Sequence, residues 1–397
     1  MEALQSLGIL NLGWQSVVML VIAGVMIYLG IGKKVEPYLL VPMGAGVLMA
    51  NLPLSPISDI EQGGLFAVLA RFGVFQFELF PLLIFIGVGA MIDFGPFLER
   101  PYTVLLGAAA QFGIFGTFLV AYLLGAGMFG WFDFSLRDAA SIGIIGSADG
   151  PTSIYVSTLL GSKYAPSIIV AAYSYMALVP IIQPPVMRLL TTKEERAIRM
   201  SATHTGKISR RTRILFPILV ILVVGLVAPP AIPLIGALMF GNLLRECGVL
   251  GSLANTAQTE LANIVTILLG LAVGGMMTAM PQTITLTGGE TIVMAGFLQP
   301  ATLMVFALGI VAFALDTAGG VLFGKLLCHL SGRRINPLIG AAGISAFPMS
   351  ARVVQKEGLK ANKYNHLLMH AAGANTAGQI ASVVAGGAVL MLISRLA

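Results

Sequence analysis

The chain has 397 residues, of which 57% are hydrophobic and only 10% are charged. Soluble globular domains have about a quarter of their residues charged. The mean hydropathy of +0.92 therefore excludes an ordinary soluble domain and indicates a polytopic membrane protein. The net charge of +6 could suggest nucleic-acid binding, but basic residues in the loops between apolar segments have a simpler role, which is to set membrane orientation. We predict no nucleic-acid partner.

Apolar runs of the length that crosses a bilayer, about 20 residues, recur along the whole chain. The predicted spans are 14–32, 36–53, 78–98, 102–129, 165–190, 214–231, 232–246, 263–281, 299–323 and 366–394. Segments 138–160 and 335–356 are also apolar, but glycine and proline interrupt them. We therefore expect a multi-pass protein of the cell membrane, in contact with membrane lipid.

The polar linker at 191–213 holds seven Lys and Arg residues, so the positive-inside rule places it in the cytoplasm. The opposite loops, 51–62 and 281–290, contain no Lys or Arg. The linker divides the chain into a first repeat at 1–190 and a second repeat at 214–397.

The two interrupted segments resemble each other. Gly143, Gly146, Pro151, Ser153 and Val156 recur at one constant offset, as Gly340, Gly343, Pro348, Ser350 and Val353. Further matches pair 42–52 with 233–243, 86–93 with 271–278, and 163–177 with 363–377. Each repeat then has five spans plus one interrupted or re-entrant segment, an odd number, so the second repeat must be inverted. The predicted fold is an all-α polytopic membrane protein with two inverted-topology repeats, of the elevator or rocking type.

Asp149 lies at the break of the first interrupted segment, in the sequence SADGPT. Charged side chains at membrane depth are costly and usually functional. Its carboxylate, with freed carbonyls and nearby hydroxyls, offers the hard oxygen ligands that a small cation such as Na⁺ favours. The alternative is an aspartate that only caps the following half-helix.

In the second interrupted segment Ala346 stands where Asp149 does, so the neutral oxygens of Ser345 and Asn336 replace the charge. Arg352 either acts on a substrate or anchors its helix at the cytoplasmic interface. Tyr175 and Asn375 occupy matching positions after the two breaks. They suggest one shared site, although Tyr175 could make only an interhelical hydrogen bond.

Other candidates carry weaker signals. Asp316 is a second intramembrane carboxylate, for ion binding, a structural pair or an auxiliary proton site. Asp93 and Glu78 fall near span ends and are expected to be interfacial. His366 and His370 have the spacing of a metal pair, but without the glutamate of H-E-x-x-H or a third ligand. The sequence contains no Walker loop, dinucleotide fingerprint or nucleophile elbow.

The motifs GSADGPTSIYVS, NPLIGAAGISAFPMSARVV and GANTAGQIAS resemble the β subunit of the biotin-dependent sodium-pumping decarboxylases. That family acts on oxaloacetate, methylmalonyl-CoA, glutaconyl-CoA or malonate. The resemblance covers nearly the whole chain. It places the family's functional residues at Asp149, Tyr175, Asn336, Gly340, Ser345 and Arg352. Asn375 is added from the repeat symmetry.

The resemblance implies decarboxylation of carboxybiotin coupled to Na⁺ export, with a proton consumed. It implies Na⁺ ligands at Asp149, Tyr175, Asn336, Gly340, Ser345 and Asn375. It also implies catalytic roles for Asp149, Tyr175, Ser345 and Arg352, with Arg352 binding carboxybiotin.

The implied partners are a biotin-carrying carboxyltransferase α subunit or separate biotin carrier, a small membrane γ or δ subunit, and further copies of the chain. The carrier Met-Lys-Met signature is absent from this sequence, so the biotin must arrive on a partner. The competing interpretation is a secondary Na⁺-coupled carboxylate transporter without decarboxylase activity, because fold alone does not fix function.

Overall fold

The computed structural model describes residues 8–34, 36–55, 57, 64–200, 208–286 and 291–396. The part of the linker at 201–207 lies outside the described residues, as do 56 and 58–62 of the first predicted outer loop and 287–290 of the second. The main helices before the linker are α1 (Trp14–Gly32), α2 (Pro37–Ala50), α3 (Leu65–Gln76), α4 (Leu79–Met91), α5 (Thr103–Leu124), α6 (Leu136–Gly143), α7 (Gly150–Leu159) and α8 (Ala165–Leu190). Those after it are α9 (Arg210–Val227), α10 (Ile232–Glu246), α11 (Gly251–Met276), α12 (Pro300–Leu330), α13 (Met349–Ala361) and α14 (Leu368–Leu396).

The helices confirm a multi-pass membrane protein. In the described chain five of them, α1, α5, α11, α12 and α14, are long and apolar enough to cross a bilayer. The number rises to seven if the bent pair α3 and α4, and the two halves of α8, each count as one span. Several other predicted spans are short. The 14-residue α2 is about 21 Å long, less than the hydrocarbon core of about 30 Å.

Two bends were not predicted. Helices α3 and α4 meet at an angle of 68°, and Glu78 at their junction has a left-handed backbone with φ of 42°. Helix α8 bends by 69° between Met176 and Leu178. Pro180 explains the position of this second bend, because its ring crowds the carbonyl four residues earlier and removes one helical hydrogen bond.

The prediction of an all-α fold was wrong at one place. Strand β1 (Gln282–Thr285) pairs antiparallel with β2 (Thr291–Met294), within and just beyond the stretch predicted as an outer loop. Their sequences, QTIT and TIVM, are rich in β-branched residues, which favour strands. The amide of Ala295 donates a hydrogen bond to the Lys163 carbonyl at 2.8 Å and ties this hairpin to the start of α8.

Equivalent positions in the two halves make equivalent hydrogen bonds. The Asn51 side-chain amide donates to the Met277 carbonyl at 2.8 Å, and that of Asn242 donates to the Ile92 carbonyl at 3.0 Å. The sequence matches pair Asn51 with Asn242 and Ile92 with Met277. Each asparagine therefore satisfies the carbonyl that follows the end of a helix in the opposite half, where no intrahelical partner exists.

Candidate functional site

The first broken segment comprises α6, a 3-10 turn at Ile144–Ser147, and α7. A capping box between Ser135 and Asp138 starts α6. After the turn, Ala148 takes a left-handed backbone with φ of 54°. Asp149 is the N-cap of α7, and Pro151 lies in its first turn, where proline is best tolerated. These local preferences end one helix and start the next at membrane depth.

The Asp149 carboxylate is buried, with 5% exposure, and three hydrogen bonds hold it. The Thr152 hydroxyl donates to Oδ2 at 2.6 Å, and the Thr152 amide donates to Oδ1 at 3.4 Å. The Ser382 hydroxyl, on α14 in the opposite half, lies 3.2 Å from Oδ2. Asp149 therefore does cap the half-helix, as the alternative interpretation requires. The contact from Ser382 joins it to a site that both halves build.

The second broken segment comprises the 3-10 helix Pro337–Gly343 and α13. At its break the Ser345 hydroxyl donates to the Gly378 carbonyl at 2.8 Å. The Asn375 side-chain amide donates to the Ile344 carbonyl at 2.6 Å, and that of Gln379 donates to the Ser345 carbonyl. The Asn375 Oδ1 atom is buried and has no hydrogen-bond partner in the described chain. This oxygen can therefore accept one further contact.

Helix α14 connects the two breaks. Asn375, Gln379 and Ser382 have the i, i+4, i+7 spacing of one helical face. The first two contact the second break, and Ser382 contacts Asp149 at the first. Sequence reasoning missed Gln379 and Ser382 as site residues, although both lie in the GANTAGQIAS motif. Their helical spacing from Asn375 was the available signal.

Helix α8 makes the reciprocal contact from the first half. The Gln183 amide donates to the Ala341 carbonyl of the second broken segment at 2.7 Å and lies 3.3 Å from the Ser350 hydroxyl. The matching serines also behave alike. The Ser153 hydroxyl lies 2.9 Å from the Asp149 carbonyl and 3.4 Å from the Ile144 carbonyl, and Ser350 donates to the Ala341 carbonyl at 3.0 Å. Each broken segment is thus held by its own serine and by a helix of the other half.

The remaining predicted ligands make other contacts. The Tyr175 hydroxyl donates to the Phe306 carbonyl at 2.5 Å, as an interhelical hydrogen bond would. Asn336, predicted as an ion ligand, directs its amide to the linker carbonyls of Arg196 at 2.9 Å and Ile198 at 2.8 Å. In the described chain neither residue hydrogen-bonds to Asp149. Sequence matching identifies positions but not side-chain direction, so it could not predict these contacts.

The hydrogen bonds that the structure shows to the Asp149 carboxylate do not include Gly340 or Arg352. A Cβ added to Gly340 would lie 1.9 Å from the Gly320 carbonyl oxygen, so this glycine allows the second broken segment to contact α12 closely. Arg352 is exposed on α13. Its guanidinium makes no hydrogen bond or ion pair with any residue that the structure describes, so it is free to meet an anion from outside the chain.

The structure places the more weakly predicted residues, Asp93 and Glu78, in different surroundings. Asp93 lies 3.7 Å from Arg213, which suits the interfacial location expected for it. Glu78 is the N-cap of α4, at the bend between α3 and α4. Among the described residues, no group of three His, Cys, Asp or Glu side chains is arranged to hold a metal ion.

A buried carboxylate at a broken membrane helix, reached by polar groups from both halves, is characteristic of ion-translocating membrane proteins. The family described as the Na⁺-transporting oxaloacetate decarboxylase beta subunit matches residues 15–393. The chain therefore belongs to this family, as its motifs predicted.

Beta subunits that are named for different decarboxylases are similar to this chain over nearly their whole lengths. The chain is 47% identical to the methylmalonyl-CoA decarboxylase subunit beta of Propionigenium modestum, over 98% of this chain and 97% of the relative. It is 44% identical to the oxaloacetate decarboxylase beta chain of Haemophilus ducreyi, over 99% and 98%. It is also 44% identical to the glutaconyl-CoA decarboxylase subunit beta of Acidaminococcus fermentans, over 99% and 97%. The chain is thus a membrane beta subunit of the Na⁺-transporting carboxylic acid decarboxylases.

Proposed function

We propose that this chain decarboxylates carboxybiotin presented by a partner subunit and couples the loss of CO₂ to Na⁺ export. The observation that carries the proposal is the buried Asp149 carboxylate, which lies at a helix break and accepts hydrogen bonds from both halves of the chain. Family membership makes a carboxylate transporter without decarboxylase activity the less favoured alternative. Such a transporter would need no biotin.

The proposed Na⁺ site is centred on Asp149, with neutral oxygens contributed by Ser345 at the second break and by Asn375 on α14. A small hard cation favours such oxygen ligands. The unpartnered Asn375 Oδ1 supports this choice. Tyr175, Asn336 and Gly340 are further proposed ligands from the resemblance. Because they contact other groups here, their participation requires a different conformation of the broken segments.

The proposed chemistry uses one proton per CO₂. The bond between the ureido nitrogen of biotin and its carboxyl carbon breaks, and the electron pair stays on the nitrogen, which must then be protonated. A protein acid can supply that proton. In this proposal Na⁺ arriving from the cytoplasm displaces a proton from the region of Asp149, Tyr175 and Ser345 towards the biotin. Arg352, exposed on α13, binds the carboxylate of carboxybiotin.

Ordered exchange is essential to this mechanism. Moving one charge against 100 mV costs about 2.3 kcal/mol, so an ion path open to both sides at once would dissipate the gradient. We propose that the two halves, 1–190 and 214–397, are inverted repeats joined by the linker at 191–213. Elevator or rocking movement of the broken segments then provides alternating access. The matched hydrogen bonds of Asn51 and Asn242, and the reciprocal contacts of α8 and α14, support this proposal.

The proposed partners follow from the same chemistry. A biotin-carrying carboxyltransferase α subunit or a separate biotin carrier delivers carboxybiotin from the cytoplasm. A small membrane γ or δ subunit and further copies of this chain complete the assembly in the lipid bilayer.

The test is Asp149→Asn in the complex reconstituted into liposomes with its biotin-carrying partner, measuring Na⁺ uptake and CO₂ release together. Asparagine keeps the size of the side chain but removes the charge, so we expect both activities to be lost. The matched control is Asp133→Asn, since the Asp133 side chain is 90% exposed and should be dispensable. Undiminished coupled activity in Asp149→Asn would refute the assignment, and Na⁺-driven carboxylate uptake without the biotin partner would favour the transporter.

A further inference from the structure

Asp316 is a second carboxyl group in the membrane core that the proposed mechanism does not use. It lies at the middle of α12 and is fully buried, with 0% exposure. Neither carboxyl oxygen accepts a hydrogen bond of good geometry in the described chain, although the backbone amides of Gly113 and Ile114 lie beside the carboxyl. A buried polar group without a partner is costly, by about 1–3 kcal/mol in proteins and more if it is charged. Such a residue in a transport protein calls for a functional explanation.

The Asp316 carboxyl lies against the first broken segment. A Cβ added to Gly146 would lie 2.9 Å from Asp316 Oδ2, and a Cβ added to Gly113 would lie 2.2 Å from Oδ1. Gly146 precedes Asp149 by three residues. Gly113 lies just after the interruption of α5 at Gln111. Only glycine permits these approaches, so any shift of the Asp149 turn relative to α12 changes the surroundings of Asp316.

No counter-charge for Asp316 is found on the described elements that pack against α12. The titratable side chains on those elements, α5, α6, α8 and the 3-10 turns of both breaks, are Tyr122, Arg137, Asp138, Tyr173, Tyr175 and Arg188. Arg188 pairs with Glu357, and Asp138 accepts from Ser135 and Ser162. Within α12, Lys325 contacts Glu195, more than two turns from Asp316. An ionised carboxylate here would be unpaired in a medium of low dielectric, so the neutral form is favoured.

The surroundings suit a proton better than Na⁺. Sodium requires several oxygen ligands, whereas the groups beside the Asp316 carboxyl include the backbone amides of Gly113 and Ile114, which are hydrogen-bond donors and cannot bind a cation. The neighbouring hydroxyl of Thr317 donates to the Phe313 carbonyl. The carboxyl therefore lacks the oxygen cage that the region of Asp149, Ser345 and Asn375 offers.

We propose that Asp316 is a second proton-carrying group of the transport core, holding a proton in this conformation and exchanging it with water when the first broken segment moves away from α12. The proposal rests on the proposed function in one respect, namely that each cycle consumes a proton. The exchange is a proton loss from the carboxyl, which leaves a carboxylate, followed by reprotonation from water. The Asp149 turn lies against the Asp316 carboxyl, so movement of this turn couples proton exchange at Asp316 to Na⁺ binding at Asp149.

The first test uses dicyclohexylcarbodiimide, which reacts with protonated carboxyl groups in apolar surroundings. The complete complex in membranes is labelled and the modified residues are mapped by mass spectrometry. We expect an adduct at Asp316 that is absent from Asp316→Asn, and none at the exposed Asp133. Because Asp316 lacks a Na⁺ site of its own, direct competition by Na⁺ should protect Asp149 more than Asp316. If Asp316 stays unlabelled at every pH at which the complex is active, the proposal is overturned.

The second test measures Na⁺ uptake and CO₂ release by Asp316→Asn in the reconstituted complex. Asparagine is neutral and nearly isosteric, so a purely packing role predicts activity close to wild type, which would overturn the proposal. A proton-carrying role predicts a loss of coupled turnover of about 100-fold or more, with Na⁺ protection of Asp149 against the carbodiimide retained. Labelling of Asp316 needs no decarboxylation, so it remains informative if Asp149→Asn shows that the proposed function is wrong.

Discussion

Replacing Ser382 by alanine tests whether the second half of the chain contributes to the state of Asp149. The serine is fully buried, and its hydroxyl lies 3.2 Å from the carboxylate. A hydrogen bond to a charged group contributes about 1.5–3 kcal/mol. The distance is at the long end of the normal range, and the same hydroxyl also lies 3.0 Å from the Gln379 carbonyl, so we take the lower figure. At about 1.4 kcal/mol per factor of ten, the Na⁺ concentration for half-maximal decarboxylation should rise about tenfold.

The direction follows from charge. The lost bond stabilises the carboxylate more than the neutral acid, so Ser382→Ala disfavours Na⁺ relative to a competing proton. The assay is Na⁺-dependent CO₂ release by the reconstituted complex, with the Na⁺ concentration varied at fixed pH. Ser394→Ala is the matched control, because Ser394 lies on the same helix, is exposed, and bonds only to the local Met391 carbonyl. Identical Na⁺ dependence in Ser382→Ala and wild type would refute a shared site.

Two other substitutions test the second broken segment. Burial disfavours the Glu357 carboxylate, but hydrogen bonds from Arg188 and Lys360 outweigh it and hold the pKa of Glu357 below its ordinary 4.5. This stabilisation is present above pH 4.5 and is lost as the pH falls through the lower pKa of Glu357 in the folded protein. Glu357→Gln should therefore lower the melting temperature at neutral pH. The difference from wild type should shrink in acid. Gly340→Ala places a Cβ 1.9 Å from a backbone oxygen of α12 and should destabilise the protein by about 3 kcal/mol or more. The measurement is the temperature at which monodisperse protein is lost on heating. Gly236→Ala, whose Cβ would meet nothing within 4 Å, should behave as wild type.

Much of the helical arrangement could be predicted because bilayer thickness dictates apolar length. The predicted limits 14–32, 165–190 and 232–246 coincide with helices α1, α8 and α10. The hairpin of β1 and β2 was missed because four-residue strands vanish in a hydropathy average over a span-length window. The bend at Glu78 was missed because no glycine or proline occupies positions 77 and 78, and those residues are the usual sequence signals of a break.

The site was predictable where a residue type is rare at membrane depth. Asp149 stands out by its charge, and Ser345 and Asn375 by their place in repeated motifs. Ser382 does not stand out, because serine is common in packed membrane helices and its partner is 233 positions away. For Tyr175 and Asn336 the sequence identified the residues but not their contacts. The position of Tyr175 follows from the repeat and that of Asn336 from the family motif, but their hydrogen bonds to Phe306 and to the linker depend on tertiary packing.

The crossed contacts constrain how the two breaks can move. Helix α14 touches the second break through Asn375 and Gln379 and the first through Ser382. A movement that carries Asp149 away from α14 must therefore leave its carboxylate without the Ser382 hydrogen bond. A bound Na⁺ compensates that loss and so does a proton, whereas a bare carboxylate at membrane depth has neither. In the proposed mechanism, movement of the empty, charged site is thus the costly one, and coupled exchange of Na⁺ and H⁺ needs this condition to avoid leak. Because Gly146 holds the Asp316 carboxyl against the same turn, the second acid is subject to the same restriction.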